Sequence, residues 1–452
     1  MKVRQIVITT PLAIAAASSN PKIWHFTDIH VDPIYVVGAN IYAYCNGNVT
    51  DNVTSQAARF GEPAGDCATP FDLYESAVGY LKETTEAADS SSPYNFVFFT
   101  GDYTQAGLPT QADVLITIAH TWDILEAALP DTPLYGAIGN HDSFPGNQFP
   151  HPFDYFYNVA SIWDNWLTPE AKTTVIDGGY YSVPAHGLED SLQIICMNSM
   201  YLVNLNSHVV DETDPAHAFG YTMMSWFEAE LKLAHDAGKK VYVLGHIPPQ
   251  PSAWLQDHLL KYGQLMDKYK DMVMGQFYGH DHQDHINVNR ACDSDSTGSS
   301  STCDGEPVGF AWAGPSLTEG WPSENPAIRY YEYDEISYEI VEAITVSTNI
   351  TDANLKNELE WKTLYSTKDE YSMVDLSVTS WAKTLENMKD DEDLWWKRNL
   401  NRRRHYNEIL SASTTDQYCL GSKEDKACAY AFLCYELWQS QDQVDACIAE
   451  LD

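Results

Sequence analysis

The chain has 452 residues, 44% of them hydrophobic, with 26 Lys and Arg against 64 Asp and Glu and a formal net charge of −38. That much apolar material supports one large domain with an appendage rather than three small units. So acidic a surface excludes a protein that tracks nucleic-acid duplexes through cationic contacts, and it suits a soluble secreted protein or one working in an acidic compartment.

The chain opens with Met1-Lys2-Val3-Arg4, an apolar run from residue 6 to 17, and Ser18-Ser19. A cationic start, a short apolar stretch and small residues read as a secretory signal peptide, residues 1–19, cleaved near 17–20. Residues 23–26 then read as a strand running into Asp28. Residues 71–88 have helical spacing, and the dense Phe/Val run 95–100 is a strand ending at Asp102. A helix over 110–128 and a strand over 134–138 lead to Asn140, and 180–183 and 192–198 form paired strands. An amphipathic helix over 224–237 stops at Gly238, strand 240–244 ends at His246, and strand 272–278 leads to His280. Residues 293–305 form a Ser/Asp/Thr/Gly-rich surface loop, and strands 310–313 and 329–333 close the core. From about residue 351 the sequence turns helical, charged and Trp-rich, so the boundary falls near 348–352: one domain over 20–349, a helical one over 350–452. No other segment reaches the roughly 18 apolar residues that span a membrane. Nor does Ala449-Glu450-Leu451-Asp452 form a lipid-anchor tail, so the mature protein is expected to be a soluble monomer.

Nine cysteines agree with a secreted chain. Cys45 and Cys67 flank one loop, Cys292 and Cys303 another, and Cys419, Cys428, Cys434 and Cys447 crowd the end, while Cys196 in a strand-like run reads as a buried free thiol. Eight cysteines in local clusters read as disulfides of an oxidising compartment. A zinc knuckle is the competing reading of the last four, weakened by the lack of a C-x-x-C pair. Asn48, Asn52 and Asn349 begin N-x-T sequons, which fits glycosylation on the way to a secreted or lysosomal/endosomal location.

Five segments hold metal-type ligands beside a turn: Asp28-Ile-His30, Gly101-Asp102, Gly139-Asn140-His141-Asp142, Gly245-His246 and Gly279-His280-Asp281-His282. Most directly follow a strand-like run, where open α/β sheets place their ligand sites. Asp28, His30, Asp102, Asn140, His246, His280 and His282 suffice for two divalent ions. Asp102 is the natural bridge; Asp28, His30 and His282 complete one sphere, and Asn140, His246 and His280 the other. Two ions about 3.5–4 Å apart acidify a bridging water and clamp phosphoryl oxygens, so the pattern points to phosphoester hydrolysis. Imidazole-rich N/O spheres favour zinc, with manganese and iron as further options. His141, not needed as a ligand, would protonate the leaving oxygen, and Asp142 would hydrogen-bond its ring and fix the tautomer. Tyr103, Phe144 and His151 follow ligand blocks and are candidate walls of the substrate pocket. His120, His208 and His235 read as ordinary surface residues.

These blocks resemble the signature of the calcineurin-like metallophosphoesterases. The segments Thr27-Asp28-Ile29-His30-Val31-Asp32-Pro33-Ile34-Tyr35 and Gly245-His246-Ile247-Pro248-Pro249, with Trp226-Phe227 ahead of the latter and a cysteine-rich helical tail, make the chain similar to acid sphingomyelinase and the acid-sphingomyelinase-like phosphodiesterases over roughly residues 22–452. The resemblance implies an α/β (α+β) fold of four layers, two mixed β-sheets packed face to face and flanked by helices, with a small helical, disulfide-tied C-terminal domain. It also implies a two-zinc site, and disulfides at Cys45/Cys67 and among the terminal cysteines. Two departures stand out. No saposin-like domain fits between the signal peptide and Asp28, which favours the shorter, sphingomyelinase-like branch. That family also carries a His four residues after the bridging Asp, where this chain has Ala106, so a second proton donor or phosphate contact is missing unless Gln105 or Tyr103 partly replaces it. Gln105 further stands where purple acid phosphatases place an iron-ligating Tyr, which argues against an iron-tyrosinate site.

The expected activity is therefore hydrolysis of small phosphodiesters or phosphoanhydrides, such as nucleotides and choline-containing diesters. Sphingomyelin cleavage to ceramide and phosphocholine is one alternative, and a non-catalytic binding protein that keeps the fold is another. Trp395-Trp396-Lys397-Arg398 and Arg402-Arg403-Arg404 read as a helix whose Trp residues pack on the core, its charges paired with acidic residues 390–393 and other acidic surface, rather than as a headgroup-docking patch.

Overall fold

A computed structural model describes residues 20–52, 55–62, 65–87, 95–293, 302–318, 324–391, 393–394, 397–398 and 426–450. Within them the strands are β1 (Lys22–Phe26), β2 (Phe96–Phe99), β3 (Leu134–Gly136), β4 (Tyr181–Pro184), β5 (Leu192–Cys196), β6 (Lys240–Leu244), β7 (Val273–Tyr278), β8 (His285–Arg290), β9 (Pro307–Ala313), β10 (Ala327–Tyr333), β11 (Ile340–Ser347) and β12 (Lys362–Ser366). They form two six-stranded mixed sheets, ordered β12-β11-β10-β1-β2-β3 and β4-β5-β6-β7-β9-β8. β1, β2 and β3 run parallel, as do β5, β6, β7 and β9, while the remaining pairings are antiparallel. The parallel centres explain the continuous apolar runs of the sequence: Phe96-Val97-Phe98-Phe99 is buried on both faces, as a strand sandwiched between layers must be.

Aromatic side chains lock the two sheets face to face. Phe98 of β2 meets Tyr242 of β6 and Phe277 of β7 with ring centroids 6.2 and 5.1 Å apart. Tyr331 of β10 lies 5.0 Å from Phe277 and 5.3 Å from Trp312 of β9. Rings at these spacings add packing energy beyond their buried area.

Helix ends follow local chemistry. Thr110 and Thr168 cap the helices Gln111–Ala128 and Pro169–Gly178 by accepting from backbone N–H groups. The helix expected over 224–237 starts nine residues earlier, at Pro215, because Asp214 accepts from the Ala216 N–H and Pro215 is preset for the first turn. It stops as expected before Gly238, whose φ is +71°. The helices Tyr155–Ile162 and Gln256–Lys268, and the strands β8 and β11, were not apparent from periodicity. β12 lies past residue 349 yet pairs with β11, so the first sheet takes an edge strand from beyond the expected boundary. No described helix is long and apolar enough to cross a membrane.

Cys45–Cys67, Cys292–Cys303 and Cys434–Cys447 are disulfide-bonded, and Cys196 is a buried free thiol on β5. The last disulfide joins the helices Lys426–Leu437 and Gln441–Ala449. The sequon residues Asn48, Asn52 and Asn349 are exposed. Arg398 is buried and pairs with Glu436 and Asp284 rather than with residues 390–393. Residues 1–19, Trp395, Trp396, Arg402 to Arg404, Cys419 and the Cys428 side chain lie outside the described part of the chain.

Candidate metal centre

The five ligand blocks occupy the carboxyl ends of β1, β2, β3, β6 and β7, so both sheets contribute to one cluster at the end of their parallel strands. Asp28, His30, Asp102, His280 and His282 have φ of 48°, 42°, 54°, 73° and 58°. Left-handed backbone at five non-glycine residues is unfavourable and persists only where surrounding structure dictates it, a mark of functional loops. The chain turns sharply after each strand and aims the side chains inward. Close approach of these loops also fixes Gly139, where a Cβ would lie 2.1 Å from the Asp102 nitrogen.

Two groups of ligand atoms assemble within 4.8 Å, Asp28 with His30 and His282, and Asp28 with Asp102 and His246. Asp102 Oδ2 lies 3.5 Å from His30 Nε2 and 3.4 Å from His246 Nε2, so one oxygen faces both. Its Oδ1 accepts from the His141 N–H at 2.7 Å, which sets the carboxylate plane. Asn140 Oδ1 stands 2.9 Å from both His246 Nε2 and His280 Nδ1, while its Nδ2 donates to Asn147 Oδ1 at 3.0 Å and so turns the oxygen inward.

The donor set is rich in lone pairs and poor in protons. His30 Nδ1 lies 3.1 Å from the Thr104 carbonyl and His246 Nδ1 2.7 Å from that of Thr100. Each carbonyl holds a proton on Nδ1, so that Nε2 is the bare acceptor whenever the ring is neutral, the arrangement typical of a metal-ligating His. His30 Nε2 then faces His282 Nε2 at 3.0 Å. Asp28 Oδ2 accepts from Thr27 Oγ1 at 2.6 Å and from the His280 N–H at 2.8 Å, but its buried Oδ1 has no hydrogen-bond partner. Acceptors converging on acceptors are repulsive unless cations lie between them, so these residues fit a pair of divalent ions.

Electrostatics agree. Burial pushes Asp28 up to about 7 and pushes His30 and His280 down to about 4, each toward its uncharged form. Against its burial, Asp102 is held well below the usual carboxylate range by His246 and then His141. Burial would lower His246 too, but Asp102 overrides it and raises the imidazole to about 10. In the metal-free cluster the Asp102 carboxylate is therefore balanced by a proton on His246 while His30 and His280 stay neutral, and a divalent cation would take the place of that proton.

The other expected residues divide. The His141 ring sits beside the cluster, 5.2 Å from that of His30 between centroids. Asp142 does not orient it: its oxygens accept from the N–H groups of Gly139, Asp102 and Tyr103 at 2.7–2.9 Å, a clamp joining the β2 and β3 loops. Tyr103 is not a pocket wall, because its ring lies buried against Phe99 with centroids 4.1 Å apart. Gln105 does not stand in for the absent His, since its side chain is engaged by Asp32 and the Gly107 N–H while Ala106 faces solvent. His151 stacks on Phe219 at 3.6 Å and faces Asp177, so its contacts are with a neighbouring aromatic cluster. Phe144 is exposed on the His141 loop and can still flank a substrate. Pattern reading passed over Thr27 and Asn147, which hold ligand oxygens in place. Pro145-Gly146-Asn147 is a turn-type run, a local signal that carries no information on the direction of the Asn147 amide.

Comparison with known proteins bears on this cluster. Residues 21–284 match the calcineurin-like phosphoesterase family, and residues 316–443 match the acid sphingomyelin phosphodiesterase C-terminal region. The chain is 31% identical to the cyclic GMP-AMP phosphodiesterase SMPDL3A of Bos taurus, over 82% of this chain and 81% of that one. Acid sphingomyelinase-like phosphodiesterase 3b of Homo sapiens is 29% identical, with 88% and 85% covered. Sphingomyelin phosphodiesterase 2 of Caenorhabditis elegans is 27% identical, with 91% and 68% covered.

Proposed function

The chain belongs to the calcineurin-like phosphoesterases, and from that premise we propose that it is a two-zinc phosphodiesterase acting on small phosphodiesters and phosphoanhydrides of the nucleotide and choline-ester kind, in a secreted or lysosomal setting. The observation that carries the reading is Asp102 Oδ2 turned toward both His30 and His246. Asp28, His30 and His282 with Asp102 would hold one ion, and Asn140, His246 and His280 with Asp102 the other. Four imidazoles among seven ligands favour zinc. When bound, the ions supply Lewis acidity toward the phosphoryl oxygens and acidify water.

The chain's own part is positional and protonic. The Thr100 and Thr104 carbonyls accept hydrogen bonds from the Nδ1–H groups of His246 and His30 and leave both Nε2 atoms to face the ions. The His141 N–H fixes Asp102. We assign the His141 ring to protonating the departing oxygen, a role worth roughly 10²–10⁴ in rate for a poor leaving group. Disulfides support an oxidising location.

A relative named for cyclic GMP-AMP favours nucleotide diesters. Sphingomyelin is the second reading, favoured by the C-terminal match and the nematode relative. A panel of cyclic dinucleotides, nucleoside triphosphates, a chromogenic diester and sphingomyelin vesicles, run at pH 5 and 7, separates them. The proposal expects kcat/KM on a nucleotide to exceed that on vesicles; the reverse order replaces it with the second reading, and hydrolysis of none supports a binding protein.

A further inference from the structure

Behind the loop that carries His280 and His282 lies a group of four charges, each side chain at most 3% exposed. Asp284, two residues after His282, receives both Nη atoms of Arg329 from β10, one at 2.7 Å, together with the Tyr365 hydroxyl from β12. Arg398 Nη1 stands 3.5 Å from Asp284 Oδ2, and its Nη2 donates to Glu436 Oε1 at 2.7 Å. The two positive and two negative charges balance. Glu436 Oε1 also accepts from the Ile286 N–H at 3.2 Å, and Arg290 Nε donates to the Leu437 carbonyl at 2.8 Å. The strand leaving the ligand loop, β8, is thus stitched along its length to the helix Lys426–Leu437.

Buried charges of this kind add little net stability over apolar packing, yet removing one partner is costly because the other is left uncompensated. What they do supply here is position: Asp284 can rest only where Arg329 and Arg398 meet it, and His282 is two peptide bonds away. Partners hydrogen-bonded directly to a ligand are worth 10- to 100-fold in metal affinity, and Asp284 acts one step further out, on His282 through the backbone. We propose that Arg398 and Glu436 are positioning residues for the metal centre, so that the C-terminal region sets the stance of His280 and His282 and governs ion retention as well as folding. The inference rests on the two-metal reading above.

The test uses the full-length protein, with zinc affinity measured by chelator competition and stability by urea unfolding of the metal-free form. Arg398→Met should lose both stability and zinc affinity. Arg398→Met/Glu436→Gln removes the uncompensated charge and should regain most of the stability, while zinc binding stays at least tenfold weaker than in the wild type. A double variant with restored stability that binds two zinc ions within twofold of the wild type overturns the proposal. Should that variant not fold, Arg398→Lys keeps the charge and changes only the geometry; affinity at least fivefold weaker is expected, and wild-type affinity overturns the idea. If the wild-type protein itself holds no zinc, it is the two-metal reading that has failed instead.

Discussion

Gly279→Ala probes how tightly the loops enclose the ligands. A Cβ at Gly279 would lie 1.8 Å from Thr27 Oγ1 and 2.5 Å from Asp28 Oδ2, where ordinary contact begins at 3.4 Å. Something must move by roughly 1.5 Å, and either the Thr27–Asp28 or the His280–Asp28 hydrogen bond breaks. Overpacking costs about 1–3 kcal/mol, and a hydrogen bond to a charged group is worth about 1.5–3 kcal/mol. A loss of about 3 kcal/mol in stability is therefore expected. Ligand geometry tolerates only about 0.5 Å, and a 1 Å misplacement costs on the order of 100-fold in rate. The variant should fold, hold less than its full metal complement by elemental analysis, and fall by at least about 100-fold in kcat/KM on a chromogenic diester. Thr27→Ala removes the atom in closest conflict, so the double variant should be less impaired than the two single effects combined. Full metal content with kcat/KM within threefold of the wild type would refute the reasoning.

Two further predictions concern protons. His141→Ala should retain both ions yet lose about 100-fold or more in turnover on a diester with a poor leaving group, and far less on a nitrophenolate ester; equal losses on both would remove His141 from the proton-donor role. His25, hydrogen-bonded to Thr100 Oγ1 at 2.8 Å, is pushed down to about 3 by burial and then by the Arg329 charge. The folded chain keeps this ring neutral while the unfolded chain takes up a proton below about 6.5. The contribution is thus complete above pH 6.5 and lost as pH falls toward 3, about 2 kcal/mol of it by pH 5 at 1.36 kcal/mol per pH unit. His25→Gln should flatten the fall in urea stability of the metal-free protein between pH 7 and 5; an unchanged slope contradicts the buried neutral His.

Much of the architecture could be read from the sequence because it is local. Apolar runs ending in G-D, G-N-H or G-H marked strands that deliver ligands, and the two-sheet core followed from the family resemblance. What escaped depends on partners far along the chain. Arg329 opens the strand expected over 329–333, and its charge is fully buried because Asp284, 45 residues earlier, meets it. Asp142 was assigned to the neighbouring ring because adjacency suggested it, whereas the tight loop leaves three backbone N–H groups closer. Tyr103 was placed at the pocket, but the left-handed turn at Asp102, with φ 54°, breaks the strand-like alternation and sends the next side chain into the core. β8 and β11 carry polar residues whose burial depends on the opposing C-terminal helix and on edge pairing, so periodicity alone did not reveal them.

The central claim, a pair of ions held by seven residues from five loops, is tested most directly by metal stoichiometry coupled to turnover. Protein stripped by chelator should bind two equivalents of zinc per chain and regain hydrolysis of a chromogenic phosphodiester in step with them. Turnover that survives complete stripping, or a chain that binds no divalent ion, would contradict the account.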